Sequence, residues 1–258
     1  MMTKFANFKH PEFLVGVDWL LENLEDPNLR IYDCTAHLIP HPTETYTIGS
    51  GRGDYEKAHI PGADFLDLQQ ELSNNASKLR FTFPSAEHFS KAIGAHGLNN
   101  NNQAVLYSTT SPQWATRIWW MLRAFGFDNA KVLDGGLIRW MQKGYPTSTI
   151  PSTYPEQSFT AKPRPGLIIQ KSEVLDGIHD NNICIINALS QEQHTGVGGR
   201  TYGRPGRVKD SENVPTNELI NPETNEFFPA AVIADRFKGV GAQSSARVLT
   251  YCGGGIAA

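Results

Sequence analysis

Cys252 is the residue whose setting could do chemistry. Val248 to Tyr251 is a short, apolar, β-prone run, and Cys252 stands at its end, followed by Gly253, Gly254 and Gly255. Residues without a Cβ can take positive φ and turn successive N–H groups toward one centre. A cysteine at the mouth of such a nest, formed by residues 253–257 (Gly253, Gly254, Gly255, Ile256, Ala257), would have its nucleophilic thiolate form stabilised by those amides. The competing reading is a tight turn after a strand. A cationic loop strengthens the first: residues 198–207 carry Arg200, Arg204 and Arg207 among turn-forming residues. An arginine fork suits a carboxylate or an oxyanion. Arg204 and Arg207 are expected to reach the site, with Arg200 and His194 behind them; alternatively the arginines are solvated and pair with Asp210 or Glu212.

Other reactive residue types read as structural. Cys34 and Cys184 fall on or beside apolar runs and are expected as small core residues. His59 precedes a Pro-Gly pair and reads as a turn or inter-domain residue. Asp134, before Gly135 and Gly136, is expected to cap a helix. Trp119, Trp120, Phe125 and Phe127 recur at helical spacing and read as core.

The chain has 258 residues, 40% hydrophobic and 19% charged, with a net charge of −3. That balance offers no positive field for nucleic acid. Apolar runs such as residues 118–122 are too short to span a membrane, and the N-terminus lacks the apolar stretch of a signal peptide. Three widely spaced cysteines make neither a disulfide framework nor a metal pair, and the cytoplasm is the expected compartment; a thiolate held by backbone amides requires no metal or organic cofactor, and none is expected.

The elements that would position Cys252 come in two similar sets. Asp18 reads as the N-cap of a helix over residues 19–24, and residues 29–33 read as a strand. Residues 35–54 read as a polar loop, and residues 63–66 as a short strand. A helix then begins after Ser85 (residues 86–95). Next come a strand (104–107), a helix (114–125), a strand (131–133) and a helix (137–143). The second set has a helix at 173–179, a strand at 183–187, a helix at 229–238 and a strand at 247–251. In this alignment Cys252 corresponds to Ser108. Prolines 146, 151, 155, 163 and 165 mark a stiff, extended linker between the sets. Alternating strands and helices argue for two parallel α/β domains built on one plan.

Three stretches match a known family. His59-Ile60-Pro61-Gly62-Ala63, then Val132-Leu133-Asp134-Gly135-Gly136-Leu137 with Trp140, and residues 251–258 around Cys252 together resemble the tandem rhodanese-type sulfurtransferases, which include thiosulfate and 3-mercaptopyruvate sulfurtransferases. The resemblance implies two tandem rhodanese-like domains, each a mostly parallel sheet flanked by helices. The first (residues 8–147) is catalytically silent, with Ser108 in the cysteine position. A linker (148–165) joins it to the second (166–258), which carries Cys252 and is expected to be truncated at its C-terminus, since six residues follow Cys252 where 37 follow Ser108 up to Tyr145. The implied activity is transfer of a sulfane sulfur from a small anionic donor to cyanide or a thiol through a Cys252 persulfide.

Departures from the pattern shape that expectation. Gly254 stands where mercaptopyruvate-preferring members have serine, which favours thiosulfate as donor. The position of a family arginine falls near His194, and Arg207-Val208-Lys209-Asp210 replaces the second His-Ile-Pro-Gly turn. Two other functions compete. One is a non-catalytic binding module of the same fold. The other is a cysteine phosphatase, which needs an arginine where Ala257 and Ala258 stand.

Overall fold

The computed structural model describes residues 4–42 and 45–258, which form two α/β units. The first contains β1 (Leu14–Val15), α1 (Val17–Glu22), β2 (Leu29–Asp33), β3 (Ala36–Pro40), β4 (Tyr46–Ser50), α2 (Arg52–Lys57), β5 (Asp64–Phe65), α3 (Ala86–Ala95), β6 (Gln103–Tyr107), α4 (Gln113–Ala124), β7 (Ala130–Leu133) and α5 (Gly136–Gln142). The second contains α6 (Lys171–Gly177), β8 (Ile183–Asn187), α7 (Gln191–Thr195), β9 (Glu212–Asn213), α8 (Ala230–Gly239) and β10 (Arg247–Tyr251).

The first sheet runs β1-β7-β6-β2-β5, with every pair parallel. β6 lies near its centre and is covered on both faces, so Ala104, Val105, Leu106 and Tyr107 are all buried, as a parallel strand between helices requires. The second sheet runs β10-β8-β9, also parallel. Its order repeats β6-β2-β5, which bears out the duplicated α/β plan and places Cys252 at the strand end equivalent to Ser108.

Several elements lie where the pattern puts them. Ser85 Oγ accepts the His88 amide and caps α3, and α4 buries Trp114, Ile118, Met121 and Leu122. Cys34 and Cys184 are buried and free. Phe125 and Phe127 are buried, while Trp119 packs against the core partly exposed.

Other expectations need correction. The N-cap of α1 is Gly16, not Asp18; the Asp18 carboxylate instead accepts the Tyr145 hydroxyl at 2.6 Å. Asp134 does not cap α5. One oxygen accepts the Phe227 amide at 2.7 Å and the other takes the Lys4 ammonium at 2.5 Å, which ties the two units together. The expected loop at 35–54 holds the antiparallel hairpin β3–β4 and the start of α2. This hairpin stands off the main sheet, with β3 exposed over its second half and β4 half-buried along most of its length, so it carries little apolar alternation. The proline-rich segment is extended but packed along the first unit. A Cβ on Gly97 would lie 2.3 Å from Tyr154 Cβ, and Phe159 enters the core. His59 is buried against Tyr55 and makes hydrogen bonds with the carbonyls of Tyr55 and Ile150. It is a structural residue between the first unit and the segment that follows it.

Candidate active site

β10 delivers Cys252 to a cavity of about 940 Å³ between the two units. The strand end is fixed by the Tyr251 hydroxyl, which accepts from Asn187 Nδ2 and the Val208 amide, both at 3.0 Å, and lies 2.8 Å from Ser211 Oγ. Cys252 is half-buried, and Sγ accepts a hydrogen bond from the Gly255 amide at 3.0 Å. Of the three glycines only Gly255 takes positive φ, at +74°. The cradle on the sulfur is thus narrower than five converging amides: among the described residues, one amide donates to it.

The other loop residues have separate tasks. A Cβ on Gly253 would stand 2.1 Å from the Tyr202 ring, so glycine lets that ring lie on the backbone. A Cβ on Gly254 would meet the Phe81 ring at 3.4 Å, an ordinary contact. Ile256 is buried in the apolar core of the first unit. The Ala257 carbonyl accepts from Thr216 Oγ1 at 2.9 Å.

The cations at the cavity come from the first unit: Lys78, Arg80 and Arg117 all line it. Arg117, on α4, is more than nine-tenths buried. Its guanidinium donates to the Gly255 carbonyl at 3.0 Å and the Phe81 carbonyl at 2.8 Å, and sits over the Phe83 ring. Burial lowers its pKa to about 10, opposed by the negative charge available on Cys252, so it is cationic at neutral pH. Burial also pushes the Tyr202 hydroxyl up to about 12, with Tyr46 and Cys252 adding to the rise.

The residues expected from the arginine-rich loop do not line this cavity; their neighbours Gln193 and Tyr202 do. Arg204 and Arg207 are exposed. Arg200 donates to the carbonyls of His41 and Thr45, both at 3.1 Å, and pins its loop to the β3–β4 hairpin. His194 is buried, and its Nδ1 has no partner among the described residues. Burial, then the charge of Arg207, lowers its pKa. Arg117 was missed, although the sequence carries a signal for it: it lies three residues after Trp114 and four before Met121, on the apolar stripe of α4. Ser108 is buried and donates to the Ser111 carbonyl, so its hydroxyl is occupied within its own loop. Among the described residues no cluster of His, Cys, Asp and Glu could hold a metal ion, and no helix is long and apolar enough to cross a membrane.

The fold and a cysteine at the end of a parallel strand define the rhodanese-like class, and comparison with known proteins agrees. The Rhodanese-like domain family matches residues 16–143. The chain is 30% identical over 280 residues to thiosulfate/3-mercaptopyruvate sulfurtransferase 2 of Arabidopsis thaliana, covering 98% of this chain and 79% of that protein. It is also 30% identical to the 3-mercaptopyruvate sulfurtransferase of Escherichia coli (strain K12), covering 95% and 85%. The crystal structure of SseA from Escherichia coli, described as having the rhodanese fold, superposes with a TM-score of 0.79 at 28% identity, covering 95% of this chain and 90% of that one. The chain belongs to the family of thiosulfate and 3-mercaptopyruvate sulfurtransferases.

Proposed function

We propose that the protein transfers a sulfane sulfur through a persulfide on Cys252. The Cys252 thiolate attacks the outer sulfur of an anionic donor. With thiosulfate, the sulfur–sulfur bond breaks and sulfite leaves with the bonding pair; the enzyme holds Cys252 as Cys–S–S⁻. Cyanide or a thiolate then attacks the terminal sulfur and Cys252 departs as thiolate, so the cycle closes without an external oxidant or reductant. The observation that carries this reading is the Gly255 amide, directed at Sγ at 3.0 Å in an open cavity. A hydrogen bond to an anion contributes about 1.5–3 kcal/mol, and it serves the thiolate both as nucleophile and as leaving group. Lys78, Arg80 and Arg117 supply positive charge for the donor, and Arg200, Arg204, Arg207 and His194 act around the site rather than in it.

Thiosulfate is proposed as the donor because Gly254 offers no side-chain hydroxyl to a carboxylate or keto group. The relatives named for 3-mercaptopyruvate favour that donor as the second reading. With it, the carbon–sulfur bond would break and pyruvate would leave as its enolate, taking up a proton. Mixing the protein with thiosulfate should leave Cys252 one sulfur heavier in a peptide mass map. Cys252→Ser should lose both that adduct and thiocyanate formation while unfolding at the wild-type temperature. Persulfide on Cys34 or Cys184 would sink the proposal. A higher kcat/KM with mercaptopyruvate than with thiosulfate would transfer it to the second donor.

A further inference from the structure

Arg117 is a buried cation to which no carboxylate bonds among the described residues. It is more than nine-tenths buried, its Nε has no hydrogen-bond partner among the described residues, and among those residues the charged group acting on it is Cys252. A buried charge is costly unless something compensates it. Two carbonyls meet part of its hydrogen-bonding capacity, and one of them belongs to Gly255, whose amide donates to Cys252 Sγ. A single residue therefore joins the guanidinium to the sulfur, with its C=O on one and its N–H on the other. A second depression of about 880 Å³, beside Ser90, Lys91 and Glu156, contains neither cysteine nor histidine.

We infer that Arg117, carried by the first unit, is the counter-ion and positioning residue for the reacting sulfur of Cys252: it stabilises the thiolate and the persulfide anion and, through the Gly255 carbonyl, holds the amide that donates to the sulfur. The unit with serine in the cysteine position thereby takes part in the chemistry. This deepens the sulfur-transfer reading and rests on it for the persulfide, but not for the thiolate. Among the described residues, the other charged or titratable groups facing the same cavity are Lys78, Arg80, Tyr46 and Tyr202. Tyr202 is neutral at physiological pH, and Lys78 and Arg80 belong to the exposed segment before Phe81 rather than to the buried contact with Gly255.

The test needs no sulfur donor. Alkylation of Cys252 by iodoacetamide is followed from pH 5 to pH 10, with the rate of Cys252→Ala subtracted to remove Cys34 and Cys184. At neutral pH, Arg117→Gln should alkylate about five- to tenfold more slowly than wild type, converge with it at the alkaline plateau, and be largely rescued in Arg117→Lys; a lost charge interaction of this range follows from ion pairs in a partly screened interior. An unchanged neutral rate overturns the inference. So does a fall of equal size at every pH, which would mean only a displaced loop. Should Arg117→Gln not fold, Arg117→Met, which keeps the apolar stem on α4 and removes the charge, is read in the same way. An unchanged neutral rate in that variant overturns the inference. Loss of thiosulfate turnover in the wild type, with the alkylation difference present, removes the sulfur-transfer reading and leaves the ion pair standing.

Discussion

Gly255 carries more of the site than any residue except Cys252. Its N–H reaches the sulfur, its C=O receives Arg117, and both depend on φ = +74°. An L side chain in that left-handed region costs about 1–2 kcal/mol, and a Cβ here would stand 3.2 Å from Arg117 Nη1. Gly255→Ala should lower the melting temperature by a few degrees. It should also reduce sulfur transfer at least about tenfold, because the amide and the guanidinium move together; wild-type turnover would mean that neither contact matters. Cys252 was legible in the sequence because a nucleophile between a strand and a run of glycines is a local pattern. The cations were not. Arg204 and Arg207 were chosen by proximity along the chain, whereas the cavity draws its charge from residues more than a hundred positions earlier, brought there by the packing of one unit on the other. Only the misfit of an arginine on an apolar helical stripe points to Arg117.

At the scale of elements, His96 ends α3 and ties it to the strand and turn beside it. Its ring meets Asp64, on β5, at 2.7 Å and Glu71 at 3.2 Å. Burial alone would push its pKa down, but the hydrogen bonds and charges of the two carboxylates outweigh that and hold it up at about 9. Raised above its unfolded value of about 6.5, the imidazolium contributes stability that is fully present below that value and is lost as pH rises through about 9. The shift corresponds to roughly 3 kcal/mol. Urea unfolding of wild type should therefore show a fall of about 2 kcal/mol between pH 6 and pH 8, below the range where the thiols of the unfolded chain ionise, and His96→Gln should be nearly flat over the same range. Equal slopes would show that the pair is not a stabilising one. Asp33 acts in a separate window. Burial raises its carboxyl to about 6, opposed by hydrogen bonds from Thr35, so its contribution is lost between about pH 4 and pH 6 and does not overlap with that of His96. The element carrying His96 was readable in the sequence, since Ser85 and the spacing of Phe89 and Ile93 define a capped amphipathic helix. The β3–β4 hairpin was not, because a strand exposed over its second half and a partner half-buried along most of its length leave no alternation to read.

Across the whole molecule the apolar material is unevenly shared. The first unit holds two large clusters, whereas the cluster of the second joins only Cys184, Ile186 and Val214 with a few partly buried neighbours. The duplicated plan could be read from the order of elements, but this asymmetry could not, because it depends on which side chains cross between units. Ile256 is the clearest crossing: it lies two residues beyond Gly254, yet it packs in the first unit's cluster with Phe81 and Trp114. Arg117 reaches the same loop from the same side, and Asp134 accepts the Phe227 amide from across the boundary. The loop around Cys252 is therefore anchored less by its own sheet than by the neighbouring unit. Removing most of a buried isoleucine costs about 2–5 kcal/mol, and the loss should fall on the docking of the loop, not on the sheet beneath its partner. Ile256→Ala should speed amide exchange at Gly255 by tenfold or more, since each factor of ten corresponds to about 1.4 kcal/mol, while the amides of β6 keep their protection and sulfur transfer falls with the loosened loop. If Gly255 exchanged at its original rate in that variant, the loop would be held by its own unit, and the first unit's hold on the chemistry would reduce to the guanidinium alone.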